Sequence, residues 1–172
     1  VALAGFAVWG RRSSSSDSGA SGSKLEVAGS SGAAVGKAAP RYSVTTLAGS
    51  TFTVPAGKPA AVWFTADGCR SCIPKAKALD KIKGDAGDRI AILGVDINPT
   101  DTESDFRGWI KEVGDPRFDF AMDKNGALVL AWGVRETSTV VIVDAAGKVV
   151  YHSTGVADEA TFRAAFATAG LG

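Results

Sequence analysis

Ala60-Ala61-Val62-Trp63-Phe64-Thr65-Ala66-Asp67-Gly68-Cys69-Arg70-Ser71-Cys72-Ile73-Pro74 is the stretch on which the reading of the whole chain turns. Its first five residues form an unbroken apolar run, the pattern of a strand covered on both faces. Two cysteines follow at i and i+3. From Arg70 apolar residues recur at helical spacing, at Ile73, Ala76, Leu79 and Ile82, which predicts a helix over about 70–83 closing on Gly84. A C-x-x-C between a buried strand and a helix start suits dithiol redox chemistry. The unpaired N–H groups and the dipole of a helix N-terminus favour thiolate over thiol at Cys69, and Arg70 adds a positive charge beside it. Cys72 returns to the same helix face and is placed to attack a mixed disulfide formed at Cys69. Cys69 is therefore the candidate nucleophile and Cys72 the candidate resolving thiol.

Upstream, Tyr42 to Leu47 alternates, and Ala48-Gly49-Ser50 turns the chain into Thr51-Phe52-Thr53-Val54, which predicts a hairpin. Downstream, Arg89 to Asp96 reads as a second buried strand. Thr102 to Val113 reads as a helix with Phe106, Trp109, Ile110 and Val113 on one face, capped by Thr102 or Asp101. Asp96 to Asp101 lacks the glycine a calcium loop requires and is expected to be a strand-to-helix turn. A short strand at Phe118–Met122 and a helix at Gly126–Trp132 ended by Gly133 follow. A hairpin of Thr139–Asp144 and Lys148–His152 comes next, and Asp158 opens a last helix to about Ala169. Alternating strands and helices with a terminal hairpin indicate an α/β sandwich with a mixed sheet. His152, in the terminal strand, is expected to be an exposed or edge-strand residue rather than a ligand.

The 172 residues carry 19 basic and 18 acidic side chains, so no charge excess is available to neutralise a nucleic acid backbone. Two cysteines and one histidine exclude a disulfide scaffold and an all-cysteine zinc site. No cofactor is called for. Val1 to Gly10 is uncharged and mostly apolar, and Arg11-Arg12 follows. Ten residues are half of the roughly twenty that cross a hydrocarbon core. Residues 1–12 are therefore expected to be the tail of a hydrophobic membrane anchor or signal segment, with Trp9 at the interface; a frayed terminus is the alternative. Between Ser13 and Ala39, 20 of 27 residues are Ser, Gly or Ala, and residues 13–40 are expected to form a flexible linker. The folded domain is expected at 41–172.

The run Lys58-Pro59-Ala60 through Cys69-Arg70-Ser71-Cys72 resembles the strand and active-site loop of thioredoxin-fold proteins. The membrane-tethered TlpA/ResA/DsbE-like thiol-disulfide oxidoreductases are the group it is most similar to, and Pro74 favours that branch. Gly133 to Asp144 resembles the family's segment bearing the loop opposite the cysteines, and Asp144-Ala145-Ala146-Gly147-Lys148 its hairpin turn. The resemblance spans about Arg41 to Leu171. It implies a thioredoxin-like three-layer α/β sandwich with a central mixed sheet and an N-terminal β-hairpin. It also implies exchange of disulfides with protein substrates and re-reduction by a membrane or soluble thiol reductant. On this reading Cys69 and Cys72 are catalytic, while Asp67, Gly68, Arg70, Ser71, Pro74, Thr137 and Ser138 bind substrate or tune the site. Thr137 either contacts substrate or simply starts a strand. The domain is expected outside the cell membrane, as in the resembled branch, although Arg11-Arg12 by the positive-inside bias points the other way.

Three positions depart from the family. Its proline opposite the dithiol falls on Ser138, and a cis Ser bond would cost about 3 kcal/mol, so a trans peptide or a locally different loop is expected. The aromatic residue before the first cysteine is Gly68, which exposes Cys69. The buried acid that thioredoxin carries six residues before its first cysteine is Trp63, leaving Asp67 or water to move protons. The alternative function is a thioredoxin-fold protein holding a soft ion, copper or mercury, between two thiolates. Peroxide reduction at Cys69 is disfavoured, because the Pro-x-x-x-Thr-x-x-Cys surroundings of peroxiredoxins are missing.

Overall fold

A computed structural model describes residues 24–26 and 32–172. The elements in chain order are β1 Lys24–Glu26, β2 Arg41–Thr45, β3 Thr51–Val54, β4 Ala60–Thr65, α1 Ile73–Ala86, β5 Ala91–Asp96, α2 Glu103–Glu112, β6 Asp119–Met122, α3 Ala127–Trp132, β7 Thr139–Val143, β8 Val149–Ser153 and α4 Glu159–Thr168. The central sheet has the order β6-β5-β4-β7-β8. β4 runs parallel to β5 and antiparallel to β7, so the sheet is mixed. All six residues of β4 are buried, because helices cover one face of that strand and α3 with the N-terminal hairpin covers the other.

Period-two alternation sorts β4 between two cores. Ala61 and Trp63 point to the side of α1, α2 and α4, with Leu79, Ile82, Phe106, Trp109, Phe162 and Phe166. Ala60, Val62 and Phe64 point to α3 and the β2–β3 hairpin, with Leu128, Trp132, Tyr42, Val44, Phe52 and Val54. Gly94, opposite Trp63 in β5, is small for a steric reason. A Cβ there would lie 2.6 Å from the Phe120 ring, so the glycine makes room for Phe120 and Trp63 in the first core. The expected three-layer sandwich with a mixed sheet and an N-terminal hairpin is the observed architecture.

Several element ends carry the expected chemistry. Thr102 caps α2 through a reciprocal box with Asp105, and Asp158 caps α4 by accepting from Thr161 N. Gly133 closes α3 in the left-handed conformation. The helix after the cysteines differs from expectation at both ends. It opens with a 3-10 turn at Arg70–Cys72 and runs past Gly84 to Ala86, stopping at Gly87. Gly84 serves a different purpose: a Cβ there would lie 2.8 Å from the Arg117 guanidinium, which pairs with Asp80 one turn earlier on α1.

The ordered packing also begins before Arg41. Within the stretch expected as linker, β1 pairs antiparallel with β2, and residues 33–39 run along the free edge of β8. Gly36 N donates to Val149 O, Val149 N to Lys37 O, and Ala39 N to Gly147 O, each at 2.8 Å. Backbone groups make these bonds, so a segment of small residues serves as well as any other. Residues 1–12, expected as an anchor or signal tail, lie outside the described residues, as do most of 13–31. No helix among the described residues is long and apolar enough to cross a membrane.

Candidate active site

The C-terminal end of β4 delivers the chain into the loop Ala66–Gly68, and the cysteines sit on the turn that starts α1. Cys69 and Cys72 are joined as a disulfide with Cα atoms 5.3 Å apart. Cys72 N donates to Cys69 O at 3.0 Å, which closes the 3-10 turn. The two sulfurs differ in access: Cys69 is half-buried and Cys72 is fully buried. Cys69 Sγ has Ser71 Oγ at 3.5 Å, and Arg70 and Ser71 both face solvent. Pro74 occupies the first turn of α1, where its missing N–H costs nothing. Gly68 has φ +67°, while a Cβ there would touch nothing within 4 Å. Conformation, not space, therefore selects glycine before Cys69.

Ser138 lies opposite the dithiol. The expectation was a trans peptide or a locally different loop: among the described residues the single cis bond is Val54–Pro55, and Ser138 has φ +64°. A left-handed serine costs about 1–2 kcal/mol and persists where its surroundings hold it. Here Ser138 Oγ donates to Ser71 O at 3.3 Å, and the carbonyl of Ser138 accepts from Lys75 Nζ. Placing a proline at position 138 is therefore expected to harm this chain. Proline fixes φ near −65°, so Ser138→Pro should destabilise by more than about 1 kcal/mol in urea unfolding instead of stabilising. Thr137 beside it is half-buried and precedes β7.

Asp67 is exposed, and its backbone N–H donates to Asp101 Oδ2 at 2.9 Å, which ties the active-site loop to the turn after β5. Two buried acids stand together here: Asp96, at the end of β5 beside Thr65, and Asp123, whose N–H donates to the Asp96 carbonyl at 2.8 Å. Asp96 Oδ1 accepts from Asn98 N at 2.9 Å, so Asp96–Asp101 forms the strand-to-helix turn that was expected. Burial, aided by the nearby Asp101 carboxylate, pushes the Asp96 carboxyl up to about 6. An acid whose pKa is raised on folding supports the fold while protonated. Its contribution is complete below pH 3.8 and is lost as the pH rises to about 6. Asp96→Asn is thus expected to gain on the wild type by about 2 kcal/mol between pH 4 and 6, with a constant difference above that. Urea unfolding of both proteins at each pH checks this.

One buried residue at the site was not singled out by the sequence reading. Lys75, on α1 three residues after Cys72, is 3% exposed. Its Nζ donates to the carbonyls of Ser138 and, at 3.3 Å, Thr154. Burial pulls its pKa down, against a smaller upward pull from Glu136. The signal was available: a lysine at position 75 falls on the helix face that also carries Cys72, Ala76 and Leu79. His152 stands on the edge strand β8, as expected. It is half-buried, and its Nδ1 lies 2.6 Å from the Ala33 carbonyl, so it helps dock the N-terminal segment.

The model of the Redoxin family matches residues 34–168. A curated relative from Streptomyces lividans, described as "Mercury resistance operon ORF3", is 34% identical over 130 residues, covering 74% of this chain and 67% of the relative. Among solved structures, a thiol:disulfide interchange protein of the thioredoxin family from Chlorobium tepidum superposes with TM-score 0.68. It is 22% identical, and the match covers 81% of this chain and 99% of that one. The exposed lipoprotein thioredoxin Etrx1 of Streptococcus pneumoniae superposes with TM-score 0.65 at 24% identity, covering 74% and 98%. A secreted disulfide oxidoreductase of Mycobacterium tuberculosis gives TM-score 0.62 at 19% identity, covering 73% and 94%. At these identities the structural likenesses speak for the thioredoxin-like fold.

Proposed function

The chain belongs to the Redoxin family, and from that premise we propose that it reduces disulfides of protein substrates through Cys69 and Cys72. It is a thiol-disulfide oxidoreductase. The observation that carries the roles of the two sulfurs is their unequal exposure on one helix-opening turn: Cys69 is half-buried and reachable, Cys72 wholly buried. In the reduced protein the Cys69 thiolate attacks a client disulfide. A bond forms between Cys69 Sγ and one client sulfur, and the other client sulfur leaves as a thiolate and is protonated. Cys72 then attacks Cys69 Sγ, closing the intramolecular disulfide and releasing the second client thiol. The client gains two electrons and two protons, and a dithiol reductant returns the enzyme to its starting state. Arg70 and the helix start favour the Cys69 thiolate and so raise the potential of the pair. Membrane attachment through the N-terminal segment fits the anchor-like residues 1–12, and the extracytoplasmic side is taken from the resembled branch, against the bias of Arg11-Arg12. The test is turnover: with excess dithiothreitol, substoichiometric protein should accelerate reduction of a disulfide-bonded model protein over reductant alone. Equal rates with and without the protein would overturn the assignment.

A second reading is favoured by the relative from the mercury resistance operon: the reduced dithiol holds Hg(II) between two thiolates, as soft ions accept such ligands. Dialysis of the reduced protein against Hg(II) in excess glutathione separates the readings. One retained ion per dithiol supports mercury binding, and loss of the ion to glutathione removes it.

A further inference from the structure

Cys72 poses a problem that its surroundings answer. To resolve a mixed disulfide it must ionise, yet it is fully buried, and burial in apolar surroundings disfavours a thiolate. Its neighbours on the α1 side are apolar, among them Ala76, Leu79 and Trp63. Among the described residues the one buried basic side chain is Lys75. Cys72 has right-handed helical dihedrals at the start of α1, so residue 75 lies one turn on, on the same face, with Cβ atoms about 5–6 Å apart. Lys75 Nζ is tied to Ser138 O, and Ser138 Oγ in turn reaches Ser71 O, between the two cysteines. Two carbonyls, Ser138 O before β7 and Thr154 O after β8, are its hydrogen-bond acceptors. Glu136, exposed on the loop before β7, is the charged side chain that acts on it.

We propose that Lys75 is the proton acceptor of Cys72 and the buried counter-charge of the resolving thiolate. The proposal rests on the dithiol reading above. When the client is held at Cys69, the proton of the Cys72 thiol passes to the Lys75 amine, leaving a thiolate–ammonium pair. The Cys72 sulfur then bonds to Cys69 Sγ, the Cys69–client bond breaks, and the client sulfur leaves with the electron pair and is protonated by water. Lys75, left without an anionic partner beside it, returns its proton to solvent. The dithiol loses two electrons and the client disulfide gains two. Burial lowers the proton affinity of Lys75, which brings it toward that of a buried thiol and makes such sharing feasible.

Lys75→Met keeps the length of the side chain and removes the charge. Single-turnover resolution of a mixed disulfide between Cys69 and a model thiol should slow at least tenfold at pH 7, with the pH–rate profile displaced to the alkaline side. The equilibrium with glutathione should move tenfold toward the disulfide, about 30 mV more negative. A purely structural role would lower stability and leave the pH profile in place. Should the variant not fold, the wild type alone decides. The NMR titration of the Lys75 side chain should show proton binding at least tenfold tighter in the reduced than in the oxidised protein. A Lys75→Met profile that overlays the wild type, or a Lys75 titration indifferent to redox state, overturns the proposal while the oxidoreductase reading stands. A wild type that forms no mixed disulfide at Cys69 overturns both.

Discussion

Cys69→Ser is expected to lower the rate of protein-disulfide reduction by about 10³-fold or more, to the level of the reductant alone. Serine keeps the size and the position on the turn but is no nucleophile toward sulfur at neutral pH, so the first S–S bond with the client cannot form. The partner variant should behave differently. In Cys72→Ser the reachable Cys69 still attacks, but the buried sulfur that releases the client is gone, so a mixed disulfide at Cys69 should accumulate. Non-reducing electrophoresis with the model substrate distinguishes the two: adducts with Cys72→Ser, none with Cys69→Ser. Equal adduct formation by both variants would mean that the exposure of the two sulfurs does not set their roles.

The largest effect on stability is expected at Trp63. Its ring is fully buried, 5.7 Å from the Trp109 ring and 6.2 Å from that of Phe118, in the core beneath α1 and α2. Trp63→Ala should cost about 3–5 kcal/mol, transfer and cavity terms together. That is a large part of the 5–15 kcal/mol typical of a domain. Trp63→Phe should cost much less, because the indole Nε1 has no hydrogen-bond partner among the described residues. Urea unfolding of the three proteins reads this directly. The position also bears on mechanism. An apolar ring fills the place where thioredoxin keeps a buried acid, and the buried acidic and basic side chains among the described residues come from other elements: Asp96 from the end of β5, Asp123 from just after β6 and Lys75 from α1.

Much of this site was legible in the chain because it follows from local rules. The C-x-x-C behind the apolar run Ala60–Phe64 locates the dithiol, its strand and its helix, although the α-helix itself runs from Ile73 to Ala86. Thr102, Gly133 and Asp158 punctuate the elements through capping, which is likewise local. What escaped depends on contacts between distant residues. Ser138 takes a left-handed conformation because Lys75, 63 residues away in sequence, holds its carbonyl. Gly84 has the look of a helix stop, but Arg117 from beyond α2 fills the space that a side chain would need. The segment 33–39 is compositionally a linker, yet it is packed by backbone bonds along β8, which leave no side-chain signature. Lys75 has the opposite disguise, a charged residue on a helix, which the burial of its face turns from a solvated group into part of the site.

The most direct test of the account is a redox titration of the wild-type pair, by thiol alkylation and mass spectrometry across a glutathione series. The account predicts one reversible two-electron transition between the Cys69–Cys72 disulfide and the dithiol, within a single chain. Failure of the pair to close, or closure only between two chains, would contradict it.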